Sequence, residues 1–438
     1  MTSTSSWTKL AAELLSRWQR DINRFSDESV AVRRRSLAAI CGKVEAVVAY
    51  YGTAAAAPIA DLSASDDGIG SGSDGNGGGG SGFVSSGHVP AAQAALEAVI
   101  SDIFAELAKP LFRRFADPAE PCRETAARLS ALLVGHTADL TPHLAYLLPA
   151  TTARGVAAGA AYDTELQLFV HDAEDHEAYR RGRATERQDR AGPTVPHRVV
   201  EPGEEVRLLQ CCLVATAVMG AVRRGAAAVL RPYLDEIVLY SQYQTRDAYS
   251  ELKVRALELL TFMARAPALE LTIKAYAVGL VRAVLPSLRH KHARVRMAAL
   301  AAVWALVQVP DRAKCRGAGT AAIVDLVGFR EDNVLPIAGF YGRGDTVVNH
   351  LAELAADAAA SVRQRVAEML GDWLTTLPDR FDHHSRLLPY VLNALTDDSP
   401  GVSAAAAATL RSCGAEYERE HEGDVIERRQ FGVDGDTR

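Results

Sequence analysis

The sequence predicts an all-α protein, a right-handed solenoid (superhelix) of about eight to ten antiparallel helix pairs. Three observations carry this expectation. The hydrophobic fraction is 48% but comes largely from Ala and Leu, with aromatics at only 6%, a balance that favours packed helices over sheets. Apolar residues recur at helical spacing in stretches such as DAAASVRQRVAEMLGDWL, residues 357–374. An acid–base signature returns along the chain at intervals that suit a two-helix unit.

The signature is read by setting Asp357 as position 0. Val362 is then +5, Arg363 is +6, Val366 is +9 and Leu370 is +13. The same template places position 0 at Asp27, Asp117, Glu201, Asp247, His290, Asp357 and Asp397, and position +6 at Arg33, Arg123, Arg207, Lys253, Arg296, Arg363 and Ser403. Six of the seven are acidic at 0 and six are basic at +6. Basic residues number 48 of 438, so seven random positions would carry fewer than one. Successive anchors lie 90, 84, 46, 43, 67 and 40 residues apart. The shorter intervals fit one helix pair, and the longer ones hold additional polar sequence.

Taken in order, residues 1–52 read as an N-terminal helix pair around Asp27. Residues 53–89 are a Gly/Ser-rich insertion whose centre, DLSASDDGIGSGSDGNGGGGSG (61–82), has too little apolar content to bury a core. Residues 90–415 form the solenoid, with apolar stretches such as ELAKPLFRRF before Asp117 and HHSRLLPYVLNAL before Asp397. It is interrupted by a polar insertion at about 171–198 and a long connection at about 312–345. Residues 416–438 are a polar C-terminal tail.

Each unit is thus expected to run helix A, a tight turn carrying the acid, then helix B. Side chains at +5, +9 and +13 share one face of helix B and fill the core between neighbours. A base at +6 sits near the amino end of helix B, where the dipole disfavours a cation. The expected remedy is a ladder: the acid caps free amides of helix B, and the base lies between its own acid and that of the next unit.

Composition and motifs narrow the functional classes. A net charge of −6 gives no general attraction to nucleic acid or anionic membrane. The six cysteines, Cys41, Cys122, Cys211, Cys212, Cys315 and Cys413, include no C-x-x-C pair, and most fall in apolar helical stretches as small buried side chains. The N-terminal stretch lacks the pattern of a secretory signal, and no uninterrupted apolar run of about 18 residues appears, so a soluble cytoplasmic chain is expected.

Several suggestive clusters have plainer readings. The Gly-x-Gly fragments of 61–82 lack the preceding strand and the Lys of a phosphate loop. His171, Asp172, Asp175, His176 and Glu177 are metal-type residues in a charged insertion without framing structure. His290 and His292 occupy an inter-helix turn, and Arg343–Gly344–Asp345 reads as another turn. Trp304 and Trp373 fall on helix B faces and are expected in the core. No catalytic set, cofactor site, metal site or small-molecule site can be assembled.

The acid–base template resembles the HEAT repeat. One enzyme built on such repeats, deoxyhypusine hydroxylase, binds iron through His-Glu dipeptides on repeat helices. Here His-Glu occurs at His176–Glu177 and His421–Glu422, in the polar insertion and the tail, which argues against that class. Beyond the repeat, VVEPGEEVRLLQ (199–210), LRHKHARVRMAALAAV (288–303), VRQRVAEMLGDWLTTLPDRF (362–381) and LLPYVLNALTDDSP (387–400) resemble the HEAT-repeat axonemal dynein assembly factor family. Gly371, Asp372 and Trp373, followed by Pro378, Asp379, Arg380 and Phe381, extend past what periodicity requires. Family members continue into further repeats, so the chain is expected to be a short or truncated member.

The resemblance implies a non-enzymatic cytoplasmic scaffold for preassembly of dynein arms, serving cilium and flagellum motility. It implies dynein chains and chaperone or co-assembly factors as partners, and no catalytic residues. The alternative is a generic HEAT-repeat adaptor of phosphatase-scaffold or transport-receptor type, and a HEAT-repeat metalloenzyme is the distant third.

Overall fold

The computed structural model describes residues 4–63, 88–137, 139–152, 161–163, 168–170, 203–312, 318–327 and 348–423. The chain divides into two compact units, one of 1–154 with 197–230 and one of 155–196 with 231–438. Helix pairs build both units.

In the first unit α1 (Thr4–Asn23) pairs with α2 (Val30–Ser63) and α3 (His88–Arg113) with α4 (Glu120–His136), while α5 (Thr141–Thr152) precedes α6 (Glu204–Arg223). The second helices stack in one layer, α2 on α4 and α4 on α6, and the first helices in another, α1 on α3 and α3 on α5. Between the layers lie Leu37, Ile40, Ile103, Phe104, Leu129 and Val214, all without solvent exposure. By length and a mean hydropathy of 1.5, α6 could cross a membrane; in the structure it packs against α4 and α5.

The second unit continues with α7 (Leu234–Gln244), α8 (Ser250–Arg265), the single turn α9 (Glu270–Ile273), α10 (Ala277–Val284) and α11 (Ala293–Arg312). There follow α12 (Ala318–Val327), α13 (His350–Ala355), α14 (Ala360–Thr376), α15 (Arg380–Ala394) and α16 (Pro400–Glu420). Again the second helices stack, α8 on α11, α11 on α14 and α14 on α16, each covered by its partner α7, α10, α13 or α15. Among the described residues one short hairpin departs from the helical pattern: β1 (Ala161–Asp163) runs antiparallel to β2 (Leu168–Val170), with Tyr162 opposite Phe169.

The template fixes where each second helix begins. All seven, α2, α4, α6, α8, α11, α14 and α16, start three residues after their anchor. The +5, +9 and +13 positions then fall on one face. Cys122, Leu252, Val295 and Val362 at +5 are buried, as are Ala126, Ala256, Ala299 and Ala406 at +9. Ala at +9 lets neighbouring second helices approach closely. Two positions depart, Val32 and Leu410, which are half-buried because they lie in the first and last of the seven helices.

The second helix of the first pair reaches Ser63, α3 begins at His88, and α16 runs to Glu420, so helices enter the 53–89 segment from both sides and extend into the 416–438 tail. The residues between, 64–87, lie outside those described, as do 171–202, 328–347 and 424–438. Cys41, Cys122 and Cys211 are buried, and Cys212 and Cys413 half-buried.

Candidate functional site

The recurring polar feature is the junction between successive helix pairs. At each described turn the position-0 amide donates to the carbonyl three residues earlier, closing helix A: Asp117 to Arg114 at 3.0 Å, Asp357 to Leu354 at 3.2 Å, Asp397 to Ala394 at 3.3 Å. The carboxylate then accepts the amide two residues on. Asp27 takes it from Ser29, Asp117 from Ala119, Asp247 from Tyr249, Asp357 from Ala359 and Asp397 from Ser399, at 2.8–3.0 Å. This is an Asx-type turn rather than a cap on the first helical amides. The carboxylate reaches the residue just before helix B and stops there.

The base works in two directions. Arg33 Nη1 donates to the carbonyls of Asp27 and Glu28 at 2.8 and 2.9 Å. Arg123 does the same to Asp117 and Pro118, Arg296 to His290 and Lys291, and Arg363 to Asp357. The other edge of the guanidinium forms a two-pronged bond with the acid of the next pair. Arg33 meets Asp117 at 2.8 and 3.0 Å, Arg296 meets Asp357 at 2.6 and 2.7 Å, and Arg363 meets Asp397 at 2.6 and 2.8 Å. The base therefore grips its own turn through backbone oxygens, not through its own acid. Those carbonyls offset the unfavourable helix end that a cation at +6 occupies.

Burial raises the Asp117 carboxyl, but the Arg33 bonds, the Ala119 amide and the nearby Arg114 charge outweigh it and hold the group below its usual range. Asp397 is held low by Arg363 and then by the Ser399 amide. The Asp117 bond holds Arg33 above its ordinary value despite burial.

The remaining anchors differ. Glu201, the acid after Arg123, lies outside the described residues. Arg207 lies in the first turn of α6, its amide bonded to the Gly203 carbonyl at 3.0 Å. Lys253 is 8% exposed, and His290 stands where the following acid would be. Ser403 ends the series, its hydroxyl donating to the Pro400 carbonyl.

A second polar cluster, which repeat spacing did not reveal, links α11 to α14. Trp304 Nε1 donates to Asp372, Gln308 Nε2 donates to the same carboxylate at 2.5 Å, and the Arg365 guanidinium lies 4.7 Å from the Trp304 ring centre. Trp373 is fully buried, as a core residue should be. Trp304 is only half-buried, because its ring edge serves this cluster. Gly371 and Asp372, adjacent on α14, account for part of the GDW stretch. A Cβ on Gly371 would lie 2.5 Å from Thr409 Oγ1 on α16, so only glycine permits that approach.

Of the metal-type residues, 171–177 and Arg343–Gly344–Asp345 fall outside the described residues. His421 stacks on Tyr417 at 3.9 Å. Among the described residues no three His, Cys, Asp or Glu side chains are placed to hold a metal ion. A groove of about 570 Å³ between α13 and α15 is lined by Ala352, Ala355, Ser385, Arg386, Pro389 and Tyr390, among others.

The described residues define a class: an all-α array of helix pairs joined by Arg–Asp junctions. Comparison with known proteins adds similarities of sequence. A sequence model described as dynein axonemal assembly factor 5-like, TPR repeats, matches residues 193–317 and 338–428. The chain is 24% identical over 339 residues to dynein axonemal assembly factor 5 of Xenopus laevis, covering 77% of this chain and 31% of that protein. It is 25% identical over 321 residues to the Mus musculus protein of the same name, covering 73% and 29%. The chain is thus similar to those assembly factors over about three quarters of its own length and spans about a third of theirs.

Tetratricopeptide units are about 34 residues long, whereas the uninterrupted anchors here lie 40–46 apart, which is the HEAT-type interval. Among solved structures the chain is similar to a Kap121p mutant, with a TM-score of 0.39 and 14% identity over 99% of this chain and 42% of that one. It is also similar to importin beta, with a TM-score of 0.33 and 12% identity over 97% and 51%.

Proposed function

We propose that this chain is a non-enzymatic scaffold that holds partner proteins together during cytoplasmic preassembly of axonemal dynein arms. The observation that carries the reading is the family match over 193–317 and 338–428, which coincides with the stacked helix pairs of the second unit and with α6. Stacked pairs present long, continuous helix surfaces suited to binding other chains. Large multi-chain complexes expose apolar surface until their partners arrive, and a scaffold covers that interval.

The partners are dynein chains and the chaperone or co-assembly factors that accompany them, and the protein acts in the cytoplasm rather than in the finished axoneme. Deleting the gene in a flagellated cell that carries it tests the reading. The expected result is short or immotile flagella, dynein arms missing by electron microscopy and microtubule doublets intact. Normal arms with normal dynein levels would leave the generic adaptor as the better account. Pull-down from the same cells should recover dynein heavy chains.

A further inference from the structure

The Arg–Asp junction is broken at one place in the second unit. Lys253 occupies the +6 position of α8, where its counterparts Arg296 and Arg363 each hold the acid of the following pair at 2.6 Å. The position facing Lys253 is His290, which supplies no carboxylate. We propose that this junction is a binding subsite for a carboxylate on an acidic segment of a partner protein, which completes the rung from outside. The inference rests on the protein-binding reading above, but not on the partner being a dynein chain.

Three observations support it. First, Lys253 is 92% buried (8% exposed), and its ammonium makes no hydrogen bond or ion pair among the described residues. Burial of its stem draws the proton affinity of Lys253 down while the charge of Asp247 only partly compensates, and the ammonium nitrogen at its end still meets solvent. The residual exposure leaves a route by which a carboxylate can enter.

Second, His290 does not act as a substitute anion. Its Nδ1 accepts the His292 amide at 3.2 Å, the same turn contact an Asp would make. Burial, Lys253, His292, Lys291 and Arg296 push its pKa down to about 4. At neutral pH the ring is uncharged and offers Lys253 no counter-charge, which leaves only the partial compensation from Asp247.

Third, the rim carries the same sign. Lys291 and His292 are exposed beside the junction, while the neighbouring Arg289 and Arg294 are engaged by Glu353 and Glu251. In a chain of net charge −6 this is a local cationic rim around the solvent-reaching end of a largely buried lysine. An acidic segment would be steered there and then held by one desolvated ion pair.

The test restores the missing acid. Fluorescence anisotropy would follow a fluorescein-labelled deca-glutamate peptide binding to the full purified chain, with inorganic phosphate as a competing free anion. His290→Asp places a carboxylate opposite Lys253, as in the neighbouring rungs. It should raise the melting temperature and weaken peptide binding by about tenfold. Lys253→Gln should weaken binding similarly, and Lys9→Ala, an exposed charge on α1, should change it less than about twofold.

Peptide affinity unchanged in His290→Asp, or no binding by the unaltered chain, would overturn the proposal. Phosphate binding as tightly as the peptide would also overturn it, by showing a free-anion site. Failure here with dynein arms still missing in cells lacking the gene would sink the subsite and leave the assembly reading standing.

Discussion

Arg33 and Asp117, 84 residues apart in sequence, form a two-pronged ion pair in which the arginine side chain is 7% exposed and the aspartate fully covered. Removing the arginine strands a buried carboxylate. Arg33→Ala should therefore destabilise the first unit by about 2–4 kcal/mol, somewhat below the cost for a fully dry pair because the turn edge still meets solvent. Arg363→Ala, whose pair with Asp397 is more exposed at 18% and 11%, should lower the midpoint less. Urea denaturation followed by circular dichroism compares the two. Equal losses would show that burial does not set the strength of these junctions.

The same pair makes an acid-side prediction. Asp117 titrates below its ordinary value when folded, so the folded chain binds that proton less readily than the unfolded chain. The stabilisation is fully present above the unfolded carboxylate range of about 4 and is lost as pH falls through the folded value. Asp117→Asn should lower stability at pH 7 and flatten its decline below about pH 4. Thermal melts across pH 2–7 measure both, and an unchanged acid limb would exclude the pair as its source.

Histidine acts over a different window. His350 opens α13 and is 7% exposed; burial first, then Arg289, lowers its pKa to about 4. The folded state holds the neutral ring, so stability is complete above the unfolded value of about 6.5 and falls as pH drops from there toward 4. His350→Leu should remove part of that slope. Proton NMR of the imidazole gives an independent reading, and a midpoint near 6.5 would exclude the effect.

Packing between α14 and α16 depends on Gly371. An added methyl would collide with Thr409 Oγ1 at 2.5 Å and Cγ2 at 2.8 Å, and Thr409 is itself anchored by its hydroxyl to the Ala367 carbonyl at 3.1 Å. Gly371→Ala should cost about 1–3 kcal/mol through overpacking, although alanine is the better helix former. A higher melting temperature would show that the helices separate freely.

Asp372 accepts from both Trp304 and Gln308. Asp372→Ala should leave the indole N–H without its acceptor, lower stability by about 1–3 kcal/mol and shift the tryptophan fluorescence. An unchanged spectrum would place Trp304 outside the junction.

Much of this architecture was legible in the sequence. The +6 arginines told where each second helix begins, because the apolar face at +5, +9 and +13 has a single helical phase. The acid's contact was less legible. An aspartate side chain at position 0 is too short to pass the residue before the helix, so it secures the turn instead of the helix amides. The guanidinium's grip on its own turn carbonyls was also hidden, since backbone acceptors carry no residue signature. Trp304 has the spacing of a core residue, and its polar role depends on Asp372, 68 residues later. Lys253 opposite His290 was visible as an exception to the template; its burial and lack of a partner were not.

The three described Arg–Asp junctions are directional: a base from one pair closes on the acid of the pair that follows. In the second unit Arg296 and Arg363 are interchangeable donors, and Asp357 and Asp397 interchangeable acceptors. An array built this way can gain or lose a whole pair between two anchors and still present a matched seam, Arg296 to Asp397 for instance. The seam at Lys253 and His290 lacks that interchangeability, since a pair joined there would meet an imidazole. A whole pair is therefore exchangeable across the later seams but not between α8 and α11, where the base meets an imidazole in place of an acid.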